Sequence, residues 1–235
     1  METQTDTQMQ NPSPTQTAEP RARHLQARSH AERIARAEAT LRRVRAESEL
    51  NTRLASQGFN AERLAEGEAL CRAAQEAFTA RQLALGAQRE AVSAANAAVQ
   101  DARKSFADFR VRVRSAIRTP AIRTLLDLDS QVPNDVSGFL YMAQNTYITA
   151  QRMPALQAML QETGYGGDAL NALLAELENL HTTLQAADEA RVVAVRATHE
   201  RQRAMAALDR WIAILRAASR PVTRGRPDLK MQMGM

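Results

Sequence analysis

Leu54-Ala55-Ser56-Gln57-Gly58-Phe59-Asn60-Ala61-Glu62-Arg63-Leu64 is the stretch on which the fold turns. It is answered, 106 positions later, by Leu160-Gln161-Glu162-Thr163-Gly164-Tyr165-Gly166-Gly167-Asp168-Ala169-Leu170. Each has a leucine closing one apolar pattern, a glycine followed by an aromatic, then a cap residue and a leucine opening the next. Gly58 sits where a helix C-terminus wants a left-handed residue, and Asn60 follows as an N-cap. In the second copy Gly164, Gly166 and Gly167 take the turn, with Asp168 expected as the N-cap. Phe59 or Tyr165 is expected to pack beneath each turn.

Working outward, the same offset of 106 keeps pairing like with like. Ile34 meets Leu140, Ala37 meets Ala143, Leu41 meets Tyr147, and Leu50 meets Leu156. Farther on, Phe78 meets Leu184, Val99 meets Met205, Phe106 meets Ile212 and Phe109 meets Leu215. Pro120 falls within one residue of Pro227. Internal repetition of this kind marks a unit used twice. Residues 1–21 are read as a disordered leader, 22–129 as a first helical unit and 130–235 as a second. Each unit is a shorter helix, a tight turn and a longer helix.

Composition agrees with helices. Of 235 residues 45 are alanine, against five Phe, three Tyr and one Trp, and such a chain favours helix over sheet. Long proline-free runs span 21–119 and 155–220. The long helices carry seams spaced three and four apart, the signature of a left-handed coiled coil or bundle. The first runs Leu64, Gly67, Cys71, Ala74, Phe78, Arg81, Leu85, Gln88, Val92, Ala95, Val99, Ala102, Phe106, Phe109, Val113. The second runs Leu170, Leu173, Leu177, Leu180, Leu184, Ala187, Arg191, Ala194, Thr198, Arg201, Met205, Leu208, Ile212, Leu215.

The lengths pose a geometric question. A helix over 60–119 would extend roughly 90 Å, and its partner over 23–57 only about 50 Å, at about 1.5 Å per residue. A simple hairpin leaves Phe106, Phe109 and Val113 uncovered. The two units can cover each other, so the expected fold is all-α: an elongated antiparallel helical bundle made from two repeated short-helix/long-helix hairpins. A second chain doing the same is the alternative.

The residues that carry chemistry are few. Cys71 stands alone, which excludes an internal disulfide framework, and on the seam it reads as a small buried hydrophobe. Glu178 and His181 have the Glu-x-x-His spacing of carboxylate-bridged metal bundles, but no second copy of the pair exists, and no metal or cofactor is expected. Neither a phosphate loop nor a nucleophile triad appears, and the expectation is no enzyme. No stretch approaches the ~18 apolar residues of a membrane span, and Met1–Pro20 lacks the apolar core of a signal peptide; a cytoplasmic location is expected. Arg81, Gln88, Arg191, Thr198 and Arg201 interrupt the seams and read as register-setting residues.

Charge is uneven. The net charge is +5, and of 31 basic residues only Lys104 and Lys230 are lysines. Basic side chains gather where the long helices end: Arg110, Arg112, Arg114 and Arg118 in one half, Arg220, Arg224 and Arg226 in the other. Helix C-termini attract cations on their own account; beyond that, these seven form a candidate contact patch. The expected function is a non-enzymatic helical scaffold or protein-interaction protein, with a protein partner or self-association. Nucleic acid held through the basic helix ends is the alternative, and a metal-dependent bundle enzyme a more distant one.

Gly58-Phe59 with Glu62-Arg63-Leu64, Gly164-Tyr165, and the closing stretch Trp211-Ile212-Ala213 through Arg226-Pro227-Asp228-Leu229 together resemble a group of uncharacterised bacterial proteins made of a duplicated Ala-rich helical hairpin. The resemblance covers about residues 30–235. It implies the fold, and brings no assigned activity and no functional residue with it.

Overall fold

Alanine, leucine, arginine and glutamate at a 3.6-residue period give helix almost throughout the computed structural model, which describes residues 19–232, with side chains described over 30–231. The fold is an all-α helical bundle, without a strand among the described residues. In chain order the helices are α1 (Glu19–Ala46), α2 (Ser48–Ala55), α3 (Ala61–Ala116), α4 (Pro120–Leu125), α5 (Val136–Arg152), α6 (Gln157–Glu162), α7 (Gly167–Thr223) and α8 (Pro227–Gln232), with a 3₁₀ turn at Pro154–Leu156. The leader expected over 1–21 lies outside the described residues as far as residue 18; its last three residues already belong to α1.

The two glycine turns are closed by the same bonds. Phe59 N–H donates to the Leu54 carbonyl at 2.9 Å and Gly58 N–H to that of Ala55 at 3.0 Å; Tyr165 N–H donates to Leu160 at 2.7 Å and Gly164 N–H to Gln161 at 3.1 Å. This six-to-one and five-to-two pair is the Schellman motif, which requires a left-handed residue. Gly58 supplies it at φ +87° and Gly164 at φ +84°. A Cβ in that region costs about 1 kcal/mol. Gly58→Ala and Gly164→Ala are each expected to lower stability by that amount in urea melts, with Asn losing less.

Asn60 caps α3 as expected, its Oδ1 accepting from Arg63 N–H at 2.9 Å. At α7 the cap falls elsewhere. Leu170 N–H bonds the Gly166 carbonyl at 3.0 Å and the helix starts at Gly167. Gly166 is therefore the cap, and Asp168 sits in the first turn, where its charge favours the helix dipole.

The single short helix expected over 23–57 is two helices, α1 and α2. Glu47 breaks them in an extended conformation, φ −94° and ψ 102°. Met153 does the same between α5 and the turn that follows, at φ −101° and ψ 95°. There Pro154 is the cause, since a residue before proline is pushed out of the helical region. Nothing in the residues around Glu47 demands its break.

Contacts divide the chain into two compact units. One comprises the described residues up to Arg81 together with those from Ala197 onward, the other Gln82–Arg196. This division cuts across the boundary at 129/130 expected from the repeat. In the first unit Ile34, Leu41 and Val44 of α1, Leu50 and Leu54 of α2, and Phe59 pack with Leu64, Cys71 and Ala74 at the start of α3. Met205, Leu208, Trp211 and Leu215, late in α7, and Leu229 of α8 complete that core. In the second, Phe139, Ala143 and Tyr147 of α5, with Leu156, Leu160, Leu170 and Leu177, enclose Ala102, Phe106, Phe109, Val113 and Ile117 at the end of α3. Each core thus joins the short helices and early long helix of one half to the late long helix of the other. Phe106, Phe109 and Val113 are covered within the chain, each buried leucine or phenylalanine contributing about 1.5–3 kcal/mol.

Aromatic rings set the fit inside each core. Phe109 meets Tyr147 and Tyr165 edge-on at 5.1 and 5.0 Å, and Phe106 meets Phe139 and Tyr147 at 5.8 and 5.7 Å. In the first unit Trp211 stands edge-on to Phe59 at 5.6 Å. Its indole lies flat where Gly67 leaves space: a Cβ at Gly67 would fall 2.4 Å from Trp211 Cη2.

Candidate functional site

The basic residues at the end of α3 face a connection that lacks secondary structure of its own, from Leu126 to Asp135. Its backbone carbonyls need donors, and arginine supplies them. Arg110 Nη2 donates to the carbonyls of Leu128 at 2.7 Å and Ser130 at 2.5 Å. Arg103 reaches Pro133 and Asn134 at 3.1 and 2.8 Å, its guanidinium 4.7 Å above the Phe139 ring. Arg114 pairs with Asp129. Positions 103, 110 and 114 share one helical face, so they bind the connection down along α3. Arg123 turns back to cap α3 itself, donating to the Ile117 and Arg114 carbonyls.

The expected basic patch is therefore divided by role. Arg110 and Arg114 are committed to the chain's own backbone and to Asp129. Burial, then the neighbouring charge of Arg114, makes the Arg110 guanidinium a weaker base than usual. Arg112 is exposed, with its guanidinium 5.9 Å above Tyr165. Arg118 is exposed. Arg226, in the first unit, holds Glu49 at 2.9 Å and Asp228 at 2.7 Å, tying the start of α8 to α2. Its hydrogen bonds lower the pKa of both carboxyls. Arg220 and Arg224 are exposed in that same unit, without an ion pair among the described residues. The structure brings Arg110, Arg112, Arg114 and Arg118 into the second unit, and Arg220, Arg224 and Arg226 into the first.

Glu178 and His181 line an open cleft of ≈ 510 Å³ in the second unit, with Gln144, Thr182, Leu140, Leu174 and Leu177. His181 Nε2 lies 3.0 Å from Gln185 Nε2. Three metal-ligating side chains do not converge anywhere among the described residues. In the first unit a groove of ≈ 340 Å³ runs between α1 and α7, lined by Arg33, Arg36, Thr40, Ile212 and Arg216; Arg33 pairs across it with Asp209.

Cys71 is 2% exposed, and burial pushes its thiol up to about 11, helped by the charges of Glu38 and Glu68. At pH 8 it holds roughly a hundredfold less thiolate than an ordinary cysteine. Its reaction with a soluble disulfide reagent is expected to be at least that much slower in the native chain than in urea. Above about pH 9 the unfolded thiol ionises while the folded one stays protonated, so this group's contribution falls as pH rises from there towards 11.

Of the seam residues read as register setters, Arg191 is exposed and turns to Asp188 at 2.9 Å, because the i,i+3 carboxylate is closer to water than the seam is. Sequence spacing missed the lacing of the 126–135 connection altogether, since its acceptors, Asp129 apart, are backbone carbonyls. It also missed the exposed valines of α7: Val192, Val193 and Val195 are 59, 53 and 53% exposed. Leu83 of α3, in the same unit, is 71% exposed. No helix among the described residues is long and apolar enough to cross a membrane. Comparison with known proteins brings no counterpart: no family model, curated protein or solved structure matches the chain.

Proposed function

We propose that the chain is a non-enzymatic helical scaffold that works by binding protein, whether a partner or a second copy of itself. The observation that carries this reading is the run Val192, Val193, Val195. β-Branched residues are poorer helix formers than alanine by about 0.5 kcal/mol each. These three cover about 160° of the α7 surface, at about 100° per residue, and lie more than half exposed. They therefore cost helix stability without gaining burial, whereas contact with a partner would bury them. Arg103, Arg110 and Arg114 are meanwhile occupied in holding the chain together, which suits a scaffold.

A duplicated Ala-rich hairpin, as in the bacterial proteins it resembles, is part of the same proposal. It is supported by the paired Schellman turns, by the breaks at Glu47 and Met153, and by the six-residue helices opened by Pro120 and Pro227, in each case 106 or 107 positions apart. A single buried free thiol is consistent with a reducing, cytoplasmic setting.

Light scattering and co-purification from the native host test the binding role. The chain is expected to self-associate with concentration or to retain a stoichiometric partner, and Val192→Glu with Val195→Glu to lose that species while keeping helical content. A monomer at all concentrations, with the same co-purifying proteins in both forms, would overturn it. Nucleic-acid binding is the second reading, favoured by the exposure of Arg118, Arg220 and Arg224. Affinity for random DNA that fails to drop steeply with salt would rule it out.

A further inference from the structure

Several arginines in this molecule have partners. Arg33 has Asp209, Arg226 has Glu49 and Asp228, and Arg110 has two carbonyls. Arg201 is different. It occupies a seam position in the first unit between Thr198 and Met205 and is 8% exposed; its Nε–H is buried without an acceptor, as that of Arg110 also is, but unlike Arg110 it makes no bond to a carbonyl among the described residues. No carboxylate pairs with it among the described residues. The group that acts on it most directly is another cation, Arg81, half-buried in the same unit. Arg81 Nε donates to Thr198 Oγ1 at 3.3 Å, and Thr198 lies three residues before Arg201, on the same helical face. Two guanidiniums and a hydroxyl thus meet in one layer of the seam. The seam residues next to them, Phe78 before Arg81 and Met205 after Arg201, are buried and their side chains offer no oxygen acceptor.

A buried charge without a partner is among the costliest arrangements in a protein core, and a second like charge beside it adds repulsion. An anion reverses both effects. Planar guanidiniums bind oxyanions in bidentate fashion, and the half-buried Arg81 leaves the layer open to solvent on its own side. We propose that Arg201 and Arg81 form a binding site for a small tetrahedral oxyanion, of the phosphate or sulfate class, within the helical seam of the first unit. Occupancy supplies the counter-charge that the chain does not.

Thermal melting of the full chain tests this, with sodium phosphate titrated against sodium chloride at matched ionic strength. Phosphate is expected to raise the melting temperature saturably by several degrees beyond chloride, as a ligand bound only by the native state does. Arg201→Met is expected to melt higher than the parent without phosphate and to lose the phosphate increment. Arg81→Met, which alters a less buried side chain, is expected to lose most of it. Coincident phosphate and chloride curves in the parent would overturn the proposal. So would an increment that survives in both variants, since the anion would then sit on surface arginines.

Discussion

Phe109→Ala is expected to cost about 4 kcal/mol, from the range for burying and then deleting a phenylalanine ring in a tight core. Phe109 is 0% exposed and is held edge-on between Tyr147 and Tyr165 at 5.1 and 5.0 Å. Removing it forfeits both ring contacts and leaves a void that two tyrosines, one on α5 and one in the turn before α7, cannot close. Phe109→Leu keeps most of the apolar volume and should lose less than half as much. Urea unfolding followed by circular dichroism gives the total loss. Hydrogen exchange should place it in the second unit, first in the amides of α5 and the end of α3. A loss below 1 kcal/mol would mean that Phe109 is not buried as described.

Gly67→Ala is the second large effect, and its sign runs against helix propensity. In the interior of α3 the change should gain about 1 kcal/mol on propensity alone. Its new Cβ, however, would stand 2.4, 2.5 and 2.8 Å from three carbons of the Trp211 ring. That ring is 3% exposed and backed by Phe59, so it has no free direction in which to move. Overpacking of this kind costs about 1–3 kcal/mol and can exceed the propensity gain where the neighbour is rigid. A net loss of about 2 kcal/mol is expected, with a change in Trp211 fluorescence. Trp211→Leu in the Gly67→Ala background should recover part of it. Gly86 supplies the contrast: it lies in the same helix with nothing within 4 Å of a built Cβ, so Gly86→Ala should raise stability by up to about 1 kcal/mol.

How much of this was legible in the sequence depends on whether the signal is local. The long helices, the turns at Gly58 and Gly164 and the cap at Asn60 follow from residue types whose preferences act over four or five positions, and the structure has them where the residues put them. Seam periodicity likewise marked Phe106, Phe109 and Val113 as needing cover. What covers them is a tertiary matter: Phe139 and Tyr147 come from the next helical pair, and a seam does not name its partner. Arg110 looked like free charge because backbone carbonyls leave no trace in a sequence, and Arg114 because its partner, Asp129, lies on a connection 15 positions away with no helical spacing to it. The cap at Gly166 was misplaced onto Asp168, since a good cap residue in the first turn resembles one at its edge. The break at Glu47 has no local cause at all, in contrast to its counterpart before Pro154. Arg201 was legible as a polar interruption, but its lack of a carboxylate emerges only once the opposing helix is in place.

The central structural claim is that each core is assembled from both halves of the chain, and Phe59 with Trp211 tests it most directly. These two rings come from opposite halves and meet edge-on at 5.6 Å. A double-mutant cycle with Phe59→Leu and Trp211→Leu, measured by urea unfolding, should give a coupling energy of about 0.5–1.5 kcal/mol, as expected for aromatic rings in contact. Additivity within about 0.3 kcal/mol would contradict the claim, because it would mean that the first turn and the end of α7 do not share a core.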